Sequence, residues 1–301
     1  MDVFEGSEKK CEVIVDSKHL NLREFSRKFW EEMVDCCKAT ILSSIHNHDC
    51  DAYLLSESSL FVWDDHFLLI TCGQTKLVES ILYFLERVDH DLIVQLLFQR
   101  KNEYFAEMQY SDFYSDVERI QQEIAGTVVT FGDLNAHYIQ LFYLERPYIL
   151  KEEDQSYELL MYDISEDVIQ FLLKEDQEKE DLREFFNLDK MLPNFELDDF
   201  VFSPCGYSLN AILNEKYLTI HVTPQPEHSY VSFETNISLQ EILNIPLDAL
   251  EPKCFDMIVY QLEDEDLWNA KIPKKYQQKY SQKEVLDGGY TVHFYHRRLE
   301  G

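Results

Sequence analysis

The chain has 301 residues, of which 27 are basic and 57 acidic, giving a formal charge of −30 at pH 7. It is 45% hydrophobic and 14% aromatic, with only 8 glycines and 8 prolines, which excludes disordered, collagen-like and low-complexity architectures. The negative charge argues against nucleic acid or an anionic membrane as the main partner and favours a cationic ligand.

The sequence contains no apolar stretch of the roughly 18 residues that a membrane span requires. Its first six residues also lack the basic and apolar regions of a secretion signal. The seven cysteines are an odd number without paired Cys-x-x-Cys spacing, which is typical of reduced thiols. We therefore expect a cytosolic protein.

The first half is predicted to mix helices and strands. Apolar residues recur every three or four positions over 22–37, which predicts an amphipathic helix. A second helix is predicted over 77–88. The strands predicted in this half cover 53–55, 60–63, 67–70, 92–99, 127–131 and 137–144.

A boundary is predicted near residues 152–154, where Glu152-Glu153-Asp154 follows Pro147. A strand over 157–162, acidic helices over 165–188 and strands over 199–235 then repeat the mixture of the first half. The acidic run 175–181 is interpreted as a solvated face, because it lacks the ligand pattern of a calcium loop.

Three segments depart from the pattern of a packed sheet. Ser56-Glu57-Ser58-Ser59 interrupts an apolar strand region, which predicts a turn. Thr71-Cys72-Gly73 ends the next strand just before a helix, where a thiol can be partly exposed and tuned by the helix N-terminus. A buried core position is the default for a lone cysteine, so both alternatives stay open for Cys72. Ser208 and His221 stand near the turn-bounded ends of neighbouring strands, a pair suited to acid–base chemistry but lacking a third residue for a hydrolase triad.

Six segments, taken in this order, resemble eukaryotic-type S-adenosylmethionine decarboxylases. The resemblance is strongest over 4–12, 53–73, 154–158 and 202–236. The segments are Phe4-Glu5-Gly6, Tyr53-Leu54-Leu55-Ser56-Glu57-Ser58-Ser59-Leu60-Phe61-Val62, Thr71-Cys72-Gly73, Pro204-Cys205-Gly206-Tyr207-Ser208, Thr219-Ile220-His221-Val222-Thr223-Pro224 and Ser229-Tyr230-Val231-Ser232-Phe233-Glu234-Thr235-Asn236.

The resemblance implies a proenzyme that cuts itself between Glu57 and Ser58. The Ser58 hydroxyl attacks the Glu57 carbonyl to give an ester, and elimination and hydrolysis leave a pyruvoyl group at residue 58. His221 is implied to remove the α-proton of residue 58, and Ser208 to hold the carbonyl under attack. The implied catalytic set also includes Glu5 and Glu8.

The pyruvoyl group is the only cofactor that the resemblance implies, and no metal is expected. Its ketone forms a Schiff base with the substrate amine and accepts the electrons released when carbon dioxide leaves. Cys72 matches the family's proton donor.

The resemblance also implies a substrate site. Phe4 and Phe202 match two aromatic residues that sandwich the adenine ring. Main-chain groups of Leu55 and Glu57 match further substrate contacts. Gln225 stands where the family commonly has a glutamate on the ribose hydroxyls, so we expect weaker binding of the same substrate.

An acidic cluster matches the putrescine site of animal and some protist members of the family. Ile70 stands where animal members carry a lysine that partly compensates the negative charge of this cluster. We therefore expect a bound polyamine or proton uptake to compensate the carboxylates here. The spacing Asp154-x-Ser156-x-Glu158 is expected to place three of its side chains on one face of a strand. The cluster comprises Glu12, Asp154, Ser156, Glu158 and Glu234.

The fold implied by the resemblance is α+β, a four-layer α/β/β/α sandwich of two face-to-face antiparallel sheets with helices outside. One domain over 1–301, with pseudo-equivalent halves of about 1–150 and 151–301, is expected. The implied function is decarboxylation of S-adenosylmethionine for spermidine and spermine synthesis, with a homodimer of cleaved chains left open.

Two alternatives stay open at this point. One is a non-catalytic paralogue that activates a partner decarboxylase, although retention of Ser58, Cys72, Ser208 and His221 argues against it. The other is a pyruvoyl decarboxylase for a different amino acid, which Gln225 keeps open although the two aromatic residues favour an adenine.

Overall fold

The computed structural model describes residues 4–149, 151, 154–174, 176–261, 272–287 and 289–300. Three groups of residues from the sequence analysis lie outside these ranges. They are the first three residues, Glu152 and Glu153 of the predicted boundary, and Glu175 of the acidic run.

The described residues form two eight-stranded antiparallel sheets. The strands of the first sheet are β1 (Lys9–Val15), β2 (Ile41–His46), β3 (Asp51–Leu55), β4 (Ser58–Val62), β5 (His66–Thr71), β6 (Ile93–Lys101), β7 (Thr127–Gly132) and β8 (Tyr138–Tyr143). Those of the second are β9 (Ser156–Tyr162), β10 (Glu196–Val201), β11 (Tyr207–Leu213), β12 (Lys216–Thr223), β13 (Tyr230–Thr235), β14 (Cys254–Gln261), β15 (Tyr276–Val285) and β16 (Thr291–Leu299). Their orders are β2-β3-β4-β5-β1-β6-β8-β7 and β10-β11-β12-β13-β9-β14-β16-β15. Adding eight to each number in the first order gives the second.

Helices cover the outer faces of both sheets. Their N-termini follow local sequence signals, such as Ser26, whose side chain accepts a hydrogen bond from the Phe29 amide, and the capping box of Asp112 with Ser115. None of the helices in the described ranges is long and apolar enough to cross a membrane. The helices are α1 (Arg27–Cys36), α2 (Leu77–Leu85), α3 (Phe113–Glu123), α4 (Glu166–Leu172), α5 (Lys179–Phe185), α6 (Leu188–Met191), α7 (Leu239–Ile242) and α8 (Asn244–Leu250).

Buried apolar clusters define four layers. One cluster joins α1–α3 to the first sheet, and another joins α4–α8 to the second sheet. Between the sheets, Phe61 and Ile70 of the first pack with Ile212 and Tyr217 of the second. Because side chains alternate along each strand, every sheet packs on helices with one face and on the other sheet with its second face. The predicted α/β/β/α sandwich is confirmed.

Sequence periodicity identified most elements of the first half, with different bounds. The predicted helix over 22–37 begins only at Arg27, because residues 22–24 form a separate 3-10 turn and Ser26 caps the helix. The acidic region 165–188 is divided among α4, α5 and the start of α6. The sequence analysis did not predict α3 or the strands β14 to β16.

Candidate active site

The hairpin between β3 and β4 contains the Glu57–Ser58 bond. Leu55 pairs with Ser58, so Ser56 and Glu57 form a two-residue connection. Ser58 has a φ of 131°, a conformation that residues with a side chain rarely adopt. Its side chain is buried, since Ser58 is 2% exposed. The turn predicted at this segment is confirmed, and it ends on a strained serine.

His221 lies at the centre of a buried group of hydroxyls. Its Nε2 is 2.9 Å from the Ser58 Oγ and 2.9 Å from the Thr219 Oγ1, and its Nδ1 is 2.9 Å from the Ser208 Oγ. Burial lowers the pKa of His221 to about 3. The imidazole is therefore neutral at pH 7, and one ring nitrogen keeps a lone pair that accepts a proton.

Two neighbouring strands of the second sheet present this group. Ser208 and Asn210 alternate along β11, Thr219 and His221 alternate along β12, and the register pairs them directly. The Ser59 hydroxyl donates to Asn210 Oδ1 at 2.6 Å and links the group to the first sheet. The sequence analysis gave no role to Ser59, Asn210 or Thr219, although polar residues alternating on adjacent strands were the signal that identifies them.

Cys72 follows β5 directly and lies beside the hairpin. Its amide donates to the Glu57 carbonyl at 3.0 Å, and its Sγ is 3.6 Å from the same oxygen. Of the two alternatives for Cys72, the structure shows the buried one, and α2 begins only at Leu77. Burial, with the Glu57 and Glu8 carboxyls, raises the pKa of Cys72 well above its ordinary value, so the thiol stays protonated.

The Glu57 side chain occupies a crowded position next to Gly73. Burial raises the pKa of Glu57 to about 7, while the Lys9 ammonium opposes this rise. Gly73 has a φ of 63°, and a Cβ there would lie 2.8 Å from Glu57 Oε2 and 3.0 Å from the Phe4 ring. Only glycine fits between these two side chains.

A cavity of about 280 Å³ opens onto the hairpin. It brings together eight of the predicted site residues from both sheets. They are Phe4, Glu57, Ser58, Cys72, Phe202, Ser208, His221 and Gln225.

Three of the predicted catalytic and substrate-binding residues lie outside the wall of this cavity. Leu55 is fully buried in the apolar cluster of the first sheet. Glu5 accepts hydrogen bonds from the amides of Ser7 at 2.9 Å and Phe105 at 2.7 Å, which anchors the N-terminal segment. Glu8 accepts hydrogen bonds from the hydroxyls of Ser232 and Tyr230, and burial raises its pKa to about 8.

The side chain of Gln225 is bound to the main chain of Phe4. Its Oε1 accepts from the Phe4 amide at 2.8 Å, and its Nε2 donates to the Phe4 carbonyl at 2.8 Å. Both polar groups of the Gln225 amide are thus engaged. The structure shows Gln225 holding the main chain of the aromatic residue that is expected to stack on the adenine.

A lysine lies inside the acidic cluster. Lys10 Nζ is 3.0 Å from Glu158 Oε1 and 2.6 Å from Glu234 Oε1, and Lys10 is 3% exposed. Burial by itself lowers the pKa of Lys10, but the two carboxylates raise it well above its ordinary value. The sequence analysis expected a bound polyamine or proton uptake to compensate this cluster and overlooked Lys10, which stands opposite Ile70 in the β1–β5 ladder and supplies a cation.

The other end of the acidic cluster carries fewer compensating groups. Glu12 and Asp154 are 7% and 4% exposed, and burial raises the pKa of each carboxyl. Among the described residues, the buried Ser156 Oγ has no hydrogen-bond partner. Next to Asp154, a surface cavity of about 330 Å³ is lined largely by acidic residues. These are Asp49, Asp64, Asp65, Asp154 and Glu215, with Ser17, Trp63, His66 and Lys151 completing the wall.

The fold and this site together define a class of protein: a four-layer sandwich in which a strained Glu-Ser hairpin faces a buried neutral histidine. Residues 1–297 match the adenosylmethionine decarboxylase family. The chain belongs to this family of enzymes.

Individual relatives agree with this assignment. The S-adenosylmethionine decarboxylase proenzyme of Dictyostelium discoideum is 33% identical over 287 residues, which cover 86% of this chain and 75% of that protein. The proenzyme of Xenopus laevis is 32% identical over 272 residues, covering 84% and 81%. The crystal structure of a Trypanosoma brucei AdoMetDC-delta26 monomer superimposes with a TM-score of 0.62 at 22% identity, covering 80% of this chain and 99% of that chain, and supports the fold.

Proposed function

We propose that this chain cleaves itself between Glu57 and Ser58 and then decarboxylates S-adenosylmethionine, supplying the aminopropyl donor for spermidine and spermine synthesis. The observation that carries the proposal is the strained Ser58, whose Oγ lies 2.9 Å from the neutral imidazole of His221 in the wall of a cavity. Membership of the adenosylmethionine decarboxylase family supports the same activity.

The self-cleavage uses residues of the hairpin and of β12. Ser58 Oγ adds to the Glu57 carbonyl carbon while His221 Nε2 takes the hydroxyl proton and passes it to the leaving nitrogen of residue 58. His221, neutral again after this transfer, then removes the α-proton of residue 58, which expels Glu57 as a free carboxylate. Hydrolysis releases ammonia and leaves a ketone at residue 58.

Ser208 supports His221 from the other side of the ring. Its hydroxyl lies 2.9 Å from His221 Nδ1, which fixes the orientation of the imidazole toward Ser58. In this role Ser208 positions the base, and its place in the cavity wall also lets it hold the carbonyl under attack.

The residues around position 58 fit a pyruvoyl group. The position begins β4 and lies in the cavity wall. His221 Nε2 lies 2.9 Å from its Oγ, and Cys72 Sγ lies 3.6 Å from the carbonyl oxygen of the preceding Glu57. A pyruvoyl group there supplies a ketone that binds the substrate amine and takes up the electrons released with carbon dioxide.

Cys72 is the proposed proton donor. A donor must hold its proton at pH 7, and the raised pKa of the buried Cys72 thiol meets this condition. Its Sγ lies 3.6 Å from the Glu57 carbonyl oxygen, beside the bond that is cut. Because this role requires a reduced thiol, the reducing cytosol is the proposed compartment.

Phe4 and Phe202 are proposed to bind the adenine ring, since both line the cavity that contains the Glu57–Ser58 bond. Leu55 and Glu57 are proposed to contribute main-chain contacts, because the side chain of Leu55 is buried away from the cavity. Gln225 is proposed to act on substrate binding by holding Phe4 in place.

The acidic cluster is proposed to bind a polyamine such as putrescine at its Glu12 and Asp154 end. Lys10 already forms ion pairs with Glu158 and Glu234, whereas the buried Ser156 hydroxyl near the other end has no partner among the described residues. The acidic surface cavity next to Asp154 gives a cation a route to this end.

The two halves, about 1–150 and 151–301, are proposed to be pseudo-equivalent parts of a single domain. Their sheets have the same strand order, and apolar side chains from both sheets pack together between them. Because residues of both halves line the cavity, activity is expected to require both halves.

Release of carbon dioxide from carboxyl-labelled S-adenosylmethionine tests the proposed function. The matched control is Ser58→Ala, which keeps the size of the side chain and removes the nucleophile. We expect turnover by the wild-type chain and none by Ser58→Ala. Equal release by the two chains, or none by either, would overturn the proposal.

A further inference from the structure

Two histidines and a cysteine converge between the sheets, at a place distinct from the cavity of the hairpin. His137 precedes β8 of the first sheet, whereas Cys254 begins β14 and His296 lies on β16 of the second sheet. One nitrogen of each imidazole and the Cys254 Sγ lie within 4.8 Å of one another. Imidazole nitrogen and cysteine thiolate are ordinary protein ligands of Zn²⁺.

Asp256 orients both imidazoles. Its Oδ2 lies 3.0 Å from His137 Nδ1, and its Oδ1 lies 2.7 Å from His296 Nδ1. Asp256 is fully buried, and the Lys101 ammonium lies 2.9 Å from its Oδ2. Because a carboxylate only accepts hydrogen bonds, each Nδ1 carries the proton and each Nε2 is left with its lone pair. A carboxylate that holds the second nitrogen of a metal-binding histidine is a regular feature of zinc sites.

The strand geometry directs these groups to one place. Cys254 and Asp256 are two residues apart on β14, so both side chains point to the same face, and Asp256 pairs with His296 in the β14–β16 register. The Cys254 Sγ lies 3.9 Å from His137 Nε2, which comes from the opposite sheet. Bond lengths of about 2.0–2.3 Å to zinc give ligand separations of about 3.5 Å, so binding requires the three atoms to close by about 1 Å.

We propose that His137, Cys254 and His296 form a Zn²⁺ site that joins the two sheets, with a water molecule or other small ligand in the fourth position. This site adds a metal to a chain for which the sequence spacing predicted none. The ion takes the thiolate of Cys254 and the two Nε2 atoms, and the thiol proton is released to solvent. His137 is 21% and His296 12% exposed in their side chains, so the ion has access from solvent. The site needs no part of the proposed decarboxylation.

Metal retention tests this proposal directly. The full wild-type chain is incubated with Zn²⁺, passed through gel filtration and analysed for metal, and we expect one zinc ion per chain. Cys254→Ser and His137→Gln are expected to lose it. Cys36→Ser, a cysteine on α1, and His48→Gln, whose side chain is 97% exposed, serve as controls that keep it.

Co²⁺ provides a second readout that does not depend on the stability of any variant. In the wild-type chain it is expected to give a thiolate-to-cobalt charge-transfer band, and Zn²⁺ is expected to raise the melting temperature by mass action on the folded state. A wild-type chain that retains no zinc, a Co²⁺ complex without the thiolate band, or equal zinc retention by Cys254→Ser would each overturn the site.

Discussion

The Ser58 hydroxyl and the His221 imidazole meet across the interface between the two sheets, with Oγ 2.9 Å from Nε2. The hydroxyl of the next residue, Ser59, also reaches this nitrogen, at 3.3 Å. Neighbouring residues of a regular strand point to opposite faces, so one of these hydroxyls would otherwise face the helices. The φ of 131° at Ser58 is what allows both to face His221. The strained backbone at Ser58 therefore holds the proposed nucleophile, its hydroxyl, next to the proposed base, His221.

The buried His221 should make the fold sensitive to acid. Its folded pKa of about 3 lies below the unfolded value of about 6.5, so its contribution to stability is present above pH 6.5 and is lost as the pH falls toward 3. The comparison uses Ser58→Ala, which is expected to stay uncut, with and without His221→Gln. Between pH 7 and pH 5, the chain that keeps His221 should lose about 2 kcal/mol more unfolding free energy than the chain with His221→Gln. Urea unfolding at both pH values measures this difference.

The exposed histidine His48 provides the control for this measurement, since His48→Gln should leave the acid loss in place. If the unfolding free energies of Ser58→Ala with and without His221→Gln fell equally between pH 7 and pH 5, His221 would not be held neutral by the fold.

Cys72→Ala should separate cleavage from turnover. The hydroxyl of Ser58 and the base His221 remain, so the chain should still cut itself to some extent. Turnover should fall by about 10²–10⁴-fold because the proposed proton donor is gone, and alanine should accumulate at residue 58 through protonation at the wrong carbon. Mass spectrometry of the large chain, before and after turnover, detects that product. Activity close to wild type would remove Cys72 from the mechanism.

Lys10→Met should destabilise the acidic cluster. The substitution keeps the length of the side chain but leaves Glu158 and Glu234 buried without their cation, which should cost about 3–5 kcal/mol of unfolding free energy. Added putrescine should then raise the melting temperature of Lys10→Met more than that of the wild type. Lys28→Met, on the exposed part of α1, is the matched control. Equal putrescine responses in all three chains would contradict the role given to Lys10.

The proposed polyamine site at Glu12 and Asp154 leads to a separate prediction. Putrescine should raise the melting temperature of the wild type by mass action, and Asp154→Asn should weaken that response. A wild-type chain whose stability, cleavage and activity are all insensitive to millimolar putrescine would leave the cluster with a structural role only.

Gln225→Glu should weaken substrate binding if Gln225 acts by holding Phe4. A carboxylate cannot donate to the Phe4 carbonyl, so one of two main-chain contacts is lost and a charge faces a carbonyl oxygen. A loss of about 1.4 kcal/mol corresponds to a tenfold higher KM, with little change in kcat because the adenine that Phe4 is proposed to bind is far from the substrate bond that breaks. Initial rates over a range of S-adenosylmethionine concentrations measure this split. A lower KM in Gln225→Glu would instead favour direct contact with the ribose.

The site could be predicted from the sequence where short motifs carry the chemistry. The order of the segments around Ser58, Cys72, Ser208 and His221 identified residues that the fold brings into one cavity. Polar alternation along β11 and β12 was visible in the sequence, but the pairing of Ser208 with His221 and of Asn210 with Thr219 depends on a register that only the sheet defines.

Tertiary contacts explain what the sequence analysis missed. Lys10 on β1 compensates Glu158 on β9 and Glu234 on β13 because these strands belong to facing sheets. The two glutamates are 148 and 224 positions away from Lys10 along the chain. The same is true of Gln225 and Phe4, which lie 221 positions apart. The exposure of Cys72 could not be decided from the sequence because it depends on the hairpin, which covers the strand end in the fold.

Denaturing mass spectrometry of the expressed wild-type chain tests self-cleavage most directly. The geometry of Ser58 and His221 predicts two products, a small chain that ends at Glu57 and a large chain whose first residue carries a ketone and is blocked to amine reagents. Ser58→Ala should remain a single chain, because no hydroxyl is left to attack the Glu57 carbonyl. A wild-type preparation that remains one chain of 35.9 kDa would contradict the account.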